Sequence, residues 1–169
     1  MTTVYTMLVL TEDTLTDHDV QRLSQLHDPD AVSAVVVVPS GTDQSVLDQV
    51  VDDLTRVDMD ELADDVEGRQ PTAPEAVITA KSHLDTSVAL LTSAGISARG
   101  ELVPDHPAER VAQLAAEHDV DEVIVITEPH LVTDALRRDW ATQVRHRLKA
   151  ADHERPVLHF IAGTDRVVN

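Results

Sequence analysis

The sequence predicts an α/β protein built as a single doubly wound, five-stranded parallel sheet with helices on both faces. Three observations predict it. Short apolar runs alternate with longer stretches of helical periodicity, the pattern of repeated β-α-β units. The runs at 35–38 and 123–126 are continuously apolar rather than alternating, as in strands buried on both faces. Aromatics supply only 2% of a chain that is 42% hydrophobic, so Val, Leu, Ile and Ala must build the core, and valine-rich runs favour buried strands.

The first strand is VYTMLVL, 4–10, followed by a helix over 14–27 that places Leu15, Val20, Leu23 and Leu26 inward, with Asp13 as a candidate N-cap. AVSAVVVV, 31–38, is the second strand. The region 44–66 then sets Val46, Leu47, Val50, Val51, Leu54 and Val57 on one stripe and leaves an acidic, solvated face. EGRQPTAP, 67–74, interrupts with Gly68, Pro71 and Pro74, and a further helix carries Ala76, Val77, Ala80, Leu84, Val88 and Leu91 to a stop at Gly95. ISARGELV, 96–103, is the third strand. Asp105 is a candidate cap for the next helix, which has Pro107 in its first turn and Val111, Leu114 and Ala115 facing inward. VDEVIVI, 120–126, is the fourth strand. The last helix, 132–150, repeats Val132, Leu136, Trp140, Val144 and Leu148 every fourth residue, and PVLHFIA, 156–162, closes the sheet. Right-handed crossovers follow from this order, and ligands of such sheets bind beyond the carboxyl ends of the strands where strand order reverses.

A length of 169 residues suits one domain spanning 1–169. The net charge of -18, from 31 acidic and 13 basic residues, repels nucleic-acid phosphates and anionic membranes, so no nucleic-acid or membrane partner is expected. The absence of cysteine excludes disulfides and thiolate zinc sites. MTTVYTMLVL lacks a basic n-region and a small-residue cleavage pattern, and no apolar run reaches membrane-spanning length, so a soluble, cytoplasmic chain is expected.

The segment AGISARGELVPDHPAERVAQLAAEHDVDEVIVI, 94–126, resembles the universal stress protein family. It is similar to that family's third strand, a GDPAE-like loop at 105–109, a helix, and a strand resembling DLIVMG; the closing RPVLHFIAG is similar to its CPVLVV strand. The resemblance covers nearly the whole chain and implies an adenine nucleotide alpha hydrolase-like fold. ATP-binding members follow the fourth strand with G-x2-G-x9-G-[S/T], where glycines let the main chain approach the phosphates. Here those glycine positions fall on Thr127, His130 and Trp140, and the hydroxyl position on Ala141. The Asp that commonly ends the family's first strand is matched by Thr11, followed by Glu12 and Asp13. The resemblance therefore implies a degenerate crevice, with no ATP and no other cofactor.

Other constellations carry a functional and a packing reading side by side. Trp140 could stack a ligand ring, with Arg137 and Arg138 nearby to meet an anion, or it could fill the helix–sheet seam, as its fourfold spacing favours. RRDWATQVRHRLK collects Arg137, Arg138, Arg145, Arg147 and Lys149, five of the 13 basic residues, either to hold an anion or to complement the helix C-terminus. Nine histidines form no i, i+4 pair with a carboxylate, so no metal site is expected; His130 is an acid or base only if a ligand enters the crevice. There is no G-x-S-x-G elbow and no P-loop, and no catalytic residue is assigned. Val157, Leu158, His159, Phe160 and Ile161 form an uncharged edge strand, and the resemblance implies a homodimer through it; the alternative is an edge shielded by the tail GTDRVVN. The expectation is a regulatory or interaction protein, homodimeric, without ATP and without catalysis. The alternative is a module binding a small molecule or a nucleotide other than ATP in the altered crevice around His130 and Trp140.

Overall fold

The five strands pair in parallel in the order β3-β2-β1-β4-β5. A computed structural model describes residues 4–40, 73–104, 106–129 and 134–168. Along the chain the elements are β1 (Tyr5–Thr11), α1 (Asp17–Leu26), a 3-10 turn (Pro29–Ala31), β2 (Val32–Pro39), α2 (Ala73–Ser93), β3 (Ser97–Val103), α3 (Pro107–Glu117), β4 (Glu122–Thr127), α4 (Asp134–Ala150) and β5 (Val157–Ile161). The expected helix at 44–66 lies outside the described residues.

Alternation along the central strands divides the core in two. Met7 and Val9, with Val36, Val38, Ile124 and Ile126, pack against Val20 and Leu23 of α1 and Ala80, Leu84 and Leu91 of α2. Leu8 and Leu10, with Val35, Val37, Val123 and Val125, pack against Val111, Leu114 and Ala115 of α3 and Val144 and Leu148 of α4. Both faces of β1, β2 and β4 are therefore covered, which is why their sequences read as unbroken apolar runs. β3 is an edge strand with a mostly open pattern, and at its centre Leu84 lies directly over Gly100, where a Cβ would stand 2.8 Å from Leu84 Cγ.

Helix ends differ from the sequence expectations for local reasons. α1 is capped by Thr16, not Asp13: the Thr16 hydroxyl accepts from Asp19 N while Asp19 Oδ2 accepts from Thr16 N, a reciprocal capping box. Asp13 is engaged elsewhere, by His83. The N-cap of α3 is His106 and not the expected Asp105, which lies outside the described residues; His106 is in a left-handed conformation with φ 49° and no side-chain cap, and Pro107 follows it in the first turn as expected. Gly95, with φ 89°, ends α2. Leu26 and Val77, expected inward, are 43% and 44% exposed, and each sits near an end of its helix.

Candidate functional site

Strand order reverses between β1 and β4, so the crevice opens where Thr11 and Thr127 end those strands. Thr11 is buried, and its hydroxyl donates to Asp13 O at 2.9 Å, tying down the first turn after β1. Glu12 reaches across the gap: its Oε1 accepts from Glu128 N at 2.8 Å. A carboxylate thus holds the first backbone amide beyond β4, at the place where a phosphate-binding loop would begin to offer amides to a ligand.

Thr127 is 1% exposed, and its side chain turns into the sheet, where Oγ1 lies 2.9 Å from His159 Nε2 of β5. Its carbonyl accepts from Ala162 N at 2.9 Å. Trp140 is half-buried and packs against the core cluster of the α3/α4 face, to which the buried Ala141 also belongs. Among the crevice positions read from the sequence, Thr11, Glu12 and Thr127 therefore come together at the strand ends. Trp140 and Ala141 sit in the helix–sheet seam behind them, and His130 lies outside the described residues.

One group at this end of the sheet escaped sequence reasoning. His83 of α2 places Nδ1 at 2.9 Å from Asp13 Oδ1 and 2.8 Å from Thr14 Oγ1. One turn further on, the buried Ser87 accepts from Leu15 N at 3.0 Å. When Asp13 accepts the Nδ1 proton, Nε2 keeps a lone pair for an incoming donor. The signal was present in the sequence as two polar residues at i, i+4 inside the apolar stripe of Ala80, Leu84, Val88 and Leu91. Polar groups on such a stripe require a partner.

Among the grooves that lie away from the crevice, two are bordered by arginines that already have partners. One, of about 220 Å³, follows β3 and is bordered by Arg110. That guanidinium is already held by Glu101 (2.6 and 3.2 Å) and Glu117 (3.0 Å), and those hydrogen bonds raise its pKa further above an already basic value. The other, of about 480 Å³, is lined by Arg145, Lys149 and Arg155 where α4 meets β5. Both arginines there donate to backbone carbonyls, Arg145 to Val157 O and Arg155 to Val120 O. Among the described residues no three His, Asp or Glu converge as metal ligands, and no helix is long and apolar enough to cross a membrane.

No family model matches the chain, and no curated protein matches it. Solved structures do. The structure of the hypothetical protein MJ0577 superposes with a TM-score of 0.57 at 14% identity, over 96% of this chain and 99% of that one. A universal stress protein from Archaeoglobus fulgidus gives 0.50 at 16% identity, over 92% of this chain and 93% of that one. A universal stress protein from the same organism in complex with dAMP gives 0.49 at 15%, over 92% and 98%. The chain shares the α/β fold of the MJ0577 structure and of the universal stress protein that superposes at 0.50; here that fold is a five-stranded parallel sheet flanked by helices.

Proposed function

We propose that the chain is a universal-stress-protein-like regulatory or interaction protein that neither binds ATP nor catalyses a reaction, and that it acts as a homodimer through β5. The observation that carries the ATP part is Glu12. Its carboxylate takes the Glu128 amide and adds negative charge where a triphosphate would sit. Two like charges about 4 Å apart cost roughly 4 kcal/mol at an effective dielectric near 20, which moves a micromolar complex of about -8 kcal/mol into the millimolar range. Thr127 and Ala141 add to this, since each is committed to buried packing rather than open to a ligand. β5 supports the dimer reading by its place at the end of the strand order and its uncharged sequence; the chain's own tail covers His159 O and Ile161 N and must move for two β5 strands to pair.

Trp140 is the only tryptophan, so its fluorescence reports one place in the molecule. Titration with ATP, and with dAMP as the ligand of the archaeal complex, is expected to give no saturable change. Saturable quenching with a micromolar midpoint refutes the proposal.

A second reading is favoured by the Asp13–His83 pair: a small-molecule module in which His83 Nε2 accepts a hydrogen bond from a neutral or cationic ligand at the crevice. In that case a screened metabolite binds saturably and His83→Ala abolishes it. Under the first reading no such ligand is found.

A further inference from the structure

The pairing of β5 with β4 decides which of its backbone groups face outward. Val123 N donates to Pro156 O and Ala162 N to Thr127 O. The peptide groups of Leu158 and Phe160 therefore face β4, and those of Val157, His159 and Ile161 face the sheet edge. The chain covers that edge itself. It turns at Gly163, φ 66°, and brings Val167 back opposite Phe160 in an antiparallel bridge. Val168 N donates to His159 O at 2.8 Å and Ile161 N to Arg166 O at 3.3 Å, while the amide and hydroxyl of Thr164 donate to Ile161 O at 3.2 and 3.0 Å. The edge over His159–Ile161 is thus shielded by the tail, the alternative to an open dimer edge that the sequence offered.

The covering segment is held from α1. Arg22 Nη1 donates to Thr164 O at 2.8 Å and Arg166 O at 3.4 Å, and Nη2 donates to Asp165 O at 3.2 Å. The same guanidinium lies 3.7 Å over the Phe160 ring. Buried Asp19 accepts from Gly163 N at 2.8 Å, and His18 Nε2 lies 3.0 Å from Asp165 Oδ1. Val167 is 50% exposed, so the segment has little apolar anchorage and is held by hydrogen bonds, three of them from the Arg22 guanidinium.

We propose that Thr164–Val168 is a releasable strap that keeps β5 from pairing with β5 of a second copy of this chain. The proposal rests on the dimer reading above and deepens it. A second copy fits the edge because the outward residues Val157, His159 and Ile161 are symmetric about His159. A two-fold axis there pairs His159 with itself and Val157 with Ile161, giving partners to the outward groups of both strands, with Val157 O shared with or given up by Arg145. The strap uses His159 O and Ile161 N, so strap and dimer exclude each other. Freeing the strap converts an edge with its own cover into a self-complementary interface.

The test compares the full chain with Arg22→Gln, which weakens the hold from α1, and Val168→Pro, which removes the donor to His159 O without touching α1. Circular dichroism checks that each is folded. Hydrogen exchange at the Ile161 amide is followed in dilute solution, and sedimentation is followed across a concentration series. The wild-type chain is expected to sediment as a monomer over a range in which both variants dimerise, with Ile161 exchanging roughly tenfold faster in the dilute variants. A wild-type chain already dimeric over that range overturns the strap and leaves the dimer reading intact. Faster exchange without dimers overturns both, and unchanged exchange in both variants overturns the strap.

Discussion

Asp19 shows how much one buried side chain can organise. It is 3% exposed, yet its two oxygens accept from Thr16 N, the Thr16 hydroxyl and Gly163 N, so a helix cap and the turn after β5 share one carboxylate. Asp19→Ala strands those donors, and chemical denaturation is expected to show a loss of about 1–3 kcal/mol. A loss under half of that shows that water replaces the carboxylate. Tyr5, at the opposite end of β1, stacks on His27 with ring centroids 4.4 Å apart, and His27 in turn lies 2.7 Å from Glu122. Burial, and then the negative charges of Glu122 and Asp121, raise the Tyr5 pKa above its ordinary 10.0. A phenol with a raised folded pKa contributes its stability below the unfolded value and loses it as the pH climbs through the folded one. The stability of the chain is therefore expected to fall as pH rises above 10.0, and Tyr5→Phe is expected to remove that part of the fall. Tyr5 is the only tyrosine, so phenolate absorbance reads its midpoint directly; a midpoint at or below 10.0 refutes the assignment. At this scale T-x-x-D at 16–19 carried a local capping-box signal that the reading of Asp13 as the cap passed over. The sequence was illegible where the partner is distant, as with Asp13, which looked like a cap until α2 brought His83 to it.

The elements themselves were read well because each repeats its own period. β1, β2 and β4 announced themselves as apolar runs, and α3 and the later part of α4 as stripes, since coverage on both faces or on one face writes itself into composition. What composition does not carry is the edge. β3 and β5 have similar lengths and both lie at the margins, but β3 is half open while β5 is closed by a segment that reads, in sequence, as a polar tail. Arg22 is a surface cation by type, and only the fold shows it gathering three carbonyls. Packing at the other margin gives a further prediction. Gly100 leaves room for Leu84 to lie on β3, and a Cβ there meets the Leu84 Cδ1 methyl first and Cγ at 2.8 Å, so the buried Leu84 side chain as a whole must shift. Gly100→Ala is expected to destabilise the chain by about 1–3 kcal/mol in thermal or denaturant unfolding. The paired change with Leu84→Ala should be less costly than the sum of the two single changes. Strict additivity would show that the two residues do not press on one another.

Across the whole molecule, the doubly wound order places a crevice between β1 and β4, and the chain fills its lip with its own groups. Glu12 closes on the Glu128 amide, Thr127 turns toward His159, and Trp140 and Ala141 join the core behind. Each of these groups is engaged with the protein itself, as the proposed absence of ATP binding requires. The net charge of -18 reinforces it, since a polyanionic ligand approaches against the field of the molecule. The position of the crevice was legible from the order of strands and helices alone. The Glu12–Glu128 contact was not, because it joins loops that only the sheet brings together. The proposal that this crevice does not take ATP is tested most directly by calorimetric titration of ATP with magnesium into the wild-type chain, with Glu12→Gln alongside. No saturable heat is expected from the wild type at micromolar to millimolar nucleotide, and any gain of binding should be confined to Glu12→Gln. A saturable isotherm with a micromolar Kd in the wild type would contradict the account.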